Sequence, residues 1–223
     1  PTTILDIGCG PGNSTNRLAK YFPDADILGA DSSDNMLAKA EKTYPYLKFQ
    51  KCLIPDELDS LENYDLIFSN ACLHWIPDNE SFLPKLMSKL NDGGMLAVQM
   101  PLVQEAMFYK LLNRLISEGK WKKLSVIHNF HNLTPNETYD ILSRVSNDIT
   151  MWDTTYYHVV PSHDSVIEWY KGSGLRPYLE MLSPAEKSEF LSDLLAVIKR
   201  EYPVQADDRV ILKMPRLFFT AVK

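Results

Sequence analysis

Residues 4–12 read Ile-Leu-Asp-Ile-Gly-Cys-Gly-Pro-Gly, an apolar run that ends in three glycines at alternate positions with one carboxylate, Asp6, set just ahead of them. Gly8, Gly10 and Gly12 have no Cβ and tolerate positive φ, so the backbone there can turn sharply and approach a ligand closely. A second carboxylate, Asp31, closes the next apolar run. Strand, glycine turn and a following acid form the general pattern of a nucleoside site. The spacing is not that of the dinucleotide motif, whose third glycine would fall at Asn13 rather than at Gly12, after Pro11. No Lys-Ser or Lys-Thr follows, which excludes a P-loop. Asp6 would repel a phosphate and attract an ammonium group, so the predicted ligand is a positively charged nucleoside. S-adenosylmethionine (SAM), with an ammonium and a sulfonium, meets that description. The plainer alternative is a strand-turn-helix joint with no ligand.

The elements that must position these groups follow from the hydrophobic pattern. Apolar runs bounded by turn residues recur at 3–7, 26–30, 47–50, 65–70 and 95–100, with helix-like stretches between them. That alternation predicts βαβ units and a parallel sheet. Asn13 or Ser14 is expected to cap the first helix and Asp34 the second, Asp92-Gly93-Gly94 to form a tight turn into the fifth strand, and Pro101 to end it. Beyond Pro101 the pattern predicts helices at 106–116 and 135–145 around a Trp121-Lys122-Lys123 loop, a strand at 151–160, helices at 162–172 and 183–202, and closing strands at 209–222 broken at Pro215. The helix from Ser183 opens Ser-Pro-Ala-Glu, a capping box with proline in its first turn. The expected organisation is therefore a βα core over 1–101, a helical cap insertion over 102–148, and C-terminal strands over 149–223 with inserted helices at 162–207.

A length of 223 residues allows one domain with insertions. The net charge of −6 argues against a nucleic-acid partner, which would want a basic stripe. Cys9, Cys52 and Cys72 lack CxxC spacing, so no disulfide framework and no metal site is predicted, and a reducing cytoplasm fits. No apolar run nears the ~20 residues that span a bilayer, and neither a signal peptide nor membrane attachment is expected. His128 and His131 read as solvated or structural, and Trp121, Trp152 and Trp169 as core.

Residues 4–12 followed by Asp31 resemble the class I SAM-dependent methyltransferases, and the resemblance runs over the whole chain. Five further segments narrow it: 70–75 (Asn-Ala-Cys-Leu-His-Trp), 97–101, 152–158, 174–177 (Gly-Leu-Arg-Pro) and 215–218 are similar to the trans-aconitate 2-methyltransferases. The resemblance implies an α/β, Rossmann-like fold with a seven-stranded, mostly parallel sheet, an antiparallel last strand and a helical cap. It implies that Asp6, Gly8, Gly10 and Gly12 line the methionine and ribose part of SAM, that Asp31 holds the ribose hydroxyls with Ser32 and Met36 beyond it, and that Asn70 and Ala71 lie beneath the sulfonium. Met36 would pack on adenine or, equally, serve as a core methionine. Two positions depart from the family. Residues 51–54 (Lys-Cys-Leu-Ile) lack the acid that usually accepts from the adenine amino group, and His74 stands where relatives more often carry glutamine. Relatives also have a helical segment ahead of the first strand; if the protein lacks one, weaker cofactor binding is expected.

The implied reaction is displacement of the methyl group by a carboxylate of a small polycarboxylic acid, leaving S-adenosylhomocysteine. A carboxylate is ionised at pH 7, so no general base is required and placement dominates. Arg176 and Arg216 are the expected partners of the non-reacting carboxylates, since bidentate arginine matches them best. The attacking carboxylate would meet neutral donors: His74, Trp75, Tyr156, Tyr157 and His158. Strand alternation sends Tyr156 and Tyr157 to opposite faces and keeps His158 with Tyr156. Two other readings stay open: methylation of a different small nucleophile with His74 as base, and a SAM-binding protein that does no chemistry.

Overall fold

A computed structural model describes residues 1–117, 119–127 and 133–223. His128 and His131 lie outside the described residues. Seven strands form one sheet: β1 (Thr3–Ile7), β2 (Asp26–Asp31), β3 (Lys48–Lys51), β4 (Tyr64–Asn70), β5 (Leu90–Pro101), β6 (Asp148–Val160) and β7 (Val210–Val222), in the order β3-β2-β1-β4-β5-β7-β6. The first five pair in parallel. β7 runs against β5, because Lys223 bonds with Gly94 at one end while Leu102 bonds with Pro215 at the other. The sheet order reverses between β1 and β4, so the loops after these two strands open a crevice at their carboxyl ends.

The chain divides into two compact units. The first comprises Pro1–Pro101, His131–Asp153 and Leu217–Lys223. Its sheet centre is β1, where Ile4, Leu5 and Ile7 are fully buried, and helix α1 (Asn13–Tyr21) lays Leu18 on Ile4, Ile27 and Leu66. It also holds α2 (Asp34–Thr43), α3 (Asn79–Ser88) and α5 (Pro135–Leu142), the last closed by a Thr134–Glu137 capping box. The second comprises Leu102–Phe130 and Thr154–Arg216, with α4 (Met107–Ser117), α6 (His163–Lys171), α7 (Arg176–Glu180) and α8 (Pro184–Glu201). Its own core is fully buried at Phe108, Leu112, Leu124, Phe190 and Leu194.

Several local expectations need correction. The first helix is capped by neither Asn13 nor Ser14: Gly12 is its N-cap, with φ 84°, and the Ser14 hydroxyl turns inward to Asp6 instead. The second is capped by Ser33, which accepts from the Met36 N–H, and Asp34 is the first helical residue. Asp92-Gly93-Gly94 does not precede β5 but lies inside it: between the Tyr64–Leu90 and Leu66–Met95 pairs, β4 advances two residues and β5 five. Those extra residues bulge out to meet Lys223. β7 continues through Pro215, whose carbonyl accepts from Leu102. The Trp121-Lys122-Lys123 segment is 3₁₀-helical within Gly119–Val126, and α7 is a short helix the pattern did not predict. Of the three tryptophans only Trp121 is core, donating its indole N–H to Asp193 at 2.8 Å. Trp152 and Trp169 are 47% and 46% exposed, Trp152 stacking on Phe218 at 5.3 Å.

Candidate active site

The turn after β1 uses its three glycines for three different reasons. All have positive φ, at 70°, 54° and 84° for Gly8, Gly10 and Gly12. A Cβ on Gly8 would fall 2.3 Å from both Cβ and Sγ of Cys72, so the turn packs directly on the chain that leaves β4. A Cβ on Gly12 would meet the Phe49 ring at 2.8 Å. A Cβ on Gly10 would meet nothing within 4 Å. Gly10 therefore faces open space, where its missing side chain leaves backbone for a ligand to approach.

Two carboxylates bracket this turn. Asp31 Oδ2 accepts from the Gly10 N–H at 2.9 Å and Oδ1 from the Ser33 N–H at 2.9 Å, fixing it at the end of β2. Asp6 is fully buried, and its Oδ2 accepts from the Ser14 and Thr15 hydroxyls at 2.7 and 2.6 Å. Its Oδ1 is buried without a hydrogen-bond partner among the described residues. Burial raises the Asp6 pKa to about 6, with the two hydroxyls pulling it back down and the Asp31 charge adding to the rise. A buried acceptor left over in a site is a place for a donor that the protein does not itself provide.

After β4 the chain turns at Ala71, a non-glycine residue at φ 56° held by its N–H to the Gln99 carbonyl at 2.8 Å. Such strain persists where the surroundings over-determine it, commonly at functional sites. The turn sets Cys72 on Gly8, and burial holds the Cys72 thiol up at about 12, well away from nucleophilic reactivity. A 3₁₀ turn, Leu73–Trp75, follows; the Asn79 side chain braces it by donating to the Leu73 and Ile76 carbonyls at 3.0 and 3.1 Å. His74 in that turn is 5% exposed and Trp75 43%. Ser32 is exposed and Met36 is 37% exposed, so Met36 is not the core methionine of the alternative reading. Glu57 has a local contact that sequence inspection did not anticipate. It returns its carboxylate to the Leu53 N–H at 2.7 Å and so brings an acid to the very segment that lacks one. No sequence signal marks that return.

Gly8, Cys9, Gly10, Pro11, Asn13, Ser14, Arg17 and Asn70 line one cleft of about 380 Å³. Gly8, Gly10 and Asn70, predicted separately, thus share a wall, whereas Gly12, Asp6, Asp31 and Ala71 are not part of that lining. No group of metal-ligating side chains occurs among the described residues, and no helix there is long and apolar enough to cross a membrane.

In the second unit, Tyr156 and His158 lie on one face of β6 with ring centroids 6.3 Å apart, and His158 meets Trp169 at 4.9 Å. Tyr157 is 63% exposed. Arg216, half-buried, sits close enough to Tyr170 to offset in part the burial that raises that phenol's pKa. Tyr170 stacks on Phe108 at 3.6 Å and meets Tyr109 edge-on at 5.4 Å. Arg176, in contrast, is exposed and pairs with Glu180 at 2.8 Å.

A doubly wound α/β sheet of this order, with a glycine turn open at Gly10 between two carboxylates, defines a class I SAM-dependent methyltransferase. Residues 5–96 match the model of a methyltransferase domain. Over 224 aligned residues the chain is 38% identical to the trans-aconitate 2-methyltransferase of Yersinia pestis strain Pestoides F, covering 99% of this chain and 86% of that protein. Among solved structures, the Bacillus subtilis YcgJ protein matches 100% of the chain and 92% of its own, with a TM-score of 0.61 at 16% identity. Haemonchus contortus phosphoethanolamine N-methyltransferase 2, in complex with phosphomonomethylethanolamine and S-adenosylhomocysteine, matches at a TM-score of 0.60 and 19% identity. This chain covers 48% of that structure's length, about half of it. The chain belongs to the trans-aconitate 2-methyltransferase family.

Proposed function

We propose that this protein transfers a methyl group from SAM to one carboxylate of trans-aconitate or a closely similar small polycarboxylic acid, giving the monomethyl ester and S-adenosylhomocysteine. The observation that carries the reading is the turn at Gly10, open to solvent and held between a buried Asp6 with a spare acceptor and an Asp31 already fixed at the strand end. The relatives' names supply the acceptor. When bound, SAM supplies an electrophilic methyl carbon: its bond to sulfur breaks as the bond to a carboxylate oxygen forms, and sulfur keeps the electron pair as a neutral thioether.

Asp6, Gly8, Gly10 and Gly12 hold the methionine and ribose portion in this reading. Asp31 has lone pairs beyond those used by Gly10 and Ser33 and takes the ribose hydroxyls. Ser32 and Met36 border the adenine, for which Met36 offers a soft, polarisable surface. Glu57, at the Leu53 N–H, supplies the acceptor for the adenine amino group. Asn70 and the strained Ala71 lie beneath the sulfonium. No residue needs to remove a proton, because the acceptor is ionised well below pH 7. What the protein contributes is placement and exclusion of water, for which roughly 7–11 kcal/mol is available.

The attacking oxygen must keep its charge, so a neutral donor suits it; the candidates are His74 or Trp75 in the first unit and Tyr156, Tyr157 or His158 in the second. Arginine is reserved for the other carboxylates. Arg216, half-buried beside Tyr170, is better suited than Arg176, which is committed to Glu180 in solvent. Three free thiols suit a reducing compartment, and we place the protein in the cytoplasm. The test is incubation with methyl-labelled SAM and a panel of small acids, phenols and amines. Base-labile label in trans-aconitate supports the reading; label only in a phenol or amine overturns it. With SAM held saturating at every pH, so that Asp6 ionisation no longer limits binding, the pH-rate profile should be flat above the acceptor's own pKa. A rise through ~6–7 would instead indicate a histidine base and the other nucleophile.

A further inference from the structure

We propose that Arg17 is the anchor for the carboxylate of the donor's amino-acid end. The proposal rests on the reading that this cleft binds SAM. That molecule is zwitterionic at its methionine end, and a site built only of Asp6 and Asp31 would recognise its ammonium while repelling its carboxylate. The cleft wall answers this at α1. Arg17 lines the cleft together with Gly10, Asn13 and Asn70, and it stands one helical turn beyond Asn13, hence on the same face. No ion pair among the described residues engages it.

The start of the same helix adds to the positive side. α1 has no side-chain cap and no acid in its first turn, because its N-cap is Gly12 and the Ser14 hydroxyl is spent on Asp6. Its first N–H groups and its dipole therefore keep their pull on an anion. A guanidinium one turn above uncapped N–H groups makes a two-sided seat for a carboxylate. Asp6, under that helix start, is the complementary seat for the ammonium. Opposite charges on the two sides of one turn set the direction in which the donor lies, and so the direction in which its methyl group points.

The experiment is calorimetric titration of the wild type and of Arg17→Ala with two ligands: S-adenosylhomocysteine, which has the amino-acid end, and 5′-methylthioadenosine, which lacks it. The expected result is about a tenfold weaker binding of S-adenosylhomocysteine to the variant, the scale of one partly solvated charged hydrogen bond, and unchanged binding of 5′-methylthioadenosine. Arg17→Lys should recover part of the loss, since it keeps the charge without the fork. Equal weakening of both ligands, or of neither, overturns the proposal. So does unchanged donor binding with a raised KM for the acid, which would assign Arg17 to the acceptor. If the wild type binds neither ligand, the reading of the cleft as a SAM site fails, and this inference with it.

Discussion

The glycine turn of the first unit and the aromatic cluster of the second are built by opposite means. At the turn, shape comes from what is absent: Gly10 leaves backbone open and Gly8 lets Cys72 touch the turn, with the carboxylates of Asp6 and Asp31 on either side. Around Arg216 it would come from what is present, with Phe108, Tyr109 and Tyr170 stacked edge and face. Even the glycine there works differently. Gly174 is not in the left-handed region; a Cβ on it would lie 2.1 Å from the Tyr109 hydroxyl, so it is glycine to admit a side chain. Backbone-built sites are rigid in shape and fixed in ligand, while side-chain-built sites change ligand by substitution. A family can thus keep its methyl donor and change its acceptor.

The comparison is tested hardest at Gly8. Gly8→Ala combines a left-handed alanine with a clash on Cys72, and should cost about 3 kcal/mol or more in thermal or urea unfolding while abolishing donor binding. Gly10→Ala has open space and bears only the backbone cost of about 1–2 kcal/mol, yet should still lose donor affinity. Adding Cys72→Gly to Gly8→Ala removes both clashing atoms and should restore part of the lost stability. If the pair is simply additive, the contact with Cys72 is not what makes Gly8 necessary.

Next in size is the charge on Asp6. A carboxyl raised from 3.8 to about 6 by burial corresponds to about 3 kcal/mol against the ionised form in the ligand-free protein. The native state holds this proton more tightly than the unfolded chain. The stability it contributes is complete below about 4 and is lost as pH rises through about 6. Binding of a cationic donor has the opposite sign: it needs the ionised form, so affinity should rise about tenfold per pH unit below 6 and level off above. Asp6→Asn should flatten both dependences. A donor affinity independent of pH between 4.5 and 7.5 in the wild type, across roughly this window, would remove Asp6 from contact with the ammonium.

In the second unit, Gly174→Ala should cost about 1–3 kcal/mol by overpacking against Tyr109, with donor binding intact. Combining it with Tyr109→Phe, which removes the hydroxyl at 2.1 Å but leaves two ring carbons at 2.9 Å, should recover part of that cost. At Gly8 the cost of the positive backbone angle remains even after Cys72→Gly removes the clash. Failure of the rescue would mean that Gly174 answers to backbone geometry after all, and the two regions would then be alike.

The same contrast explains what could be read from the sequence. Alternate glycines, a terminal acid and apolar runs of strand length are local patterns, so β1 to β4, the Gly8 to Gly12 turn, Asp31 and the Ser183 capping box were all legible. The Asp92-Gly93-Gly94 signal was legible as a turn but not as a bulge, because only Lys223 across the sheet gives those residues a reason to stay within β5. Ser14 was misread as a cap because its competing partner, Asp6, is eight residues away and meets it only in the folded chain. Glu57 returning to Leu53, Asn79 bracing the His74 turn and Gly174 yielding to Tyr109 depend on side chains meeting in space, for which residue spacing gives no sign.

The smallest effect expected is at Arg176. Its ion pair with Glu180 joins side chains that are 72% and 62% exposed, one helical turn apart, and solvent screens such a pair until it adds little to stability. Arg176→Ala should therefore leave unfolding and SAM binding unchanged, and any role in catalysis would show only as a raised KM for the acid. Arg216 is half-buried against the phenol cluster, and removing it takes a guanidinium away from surroundings that cannot rehydrate freely. Arg216→Ala should raise the acceptor's KM well above whatever Arg176→Ala does, with the donor's affinity unmoved. The reverse order, with Arg176 dominant, would mean that the acid outcompetes Glu180 for an exposed arginine. Acceptor recognition would then reside on a surface helix rather than in the aromatic cluster.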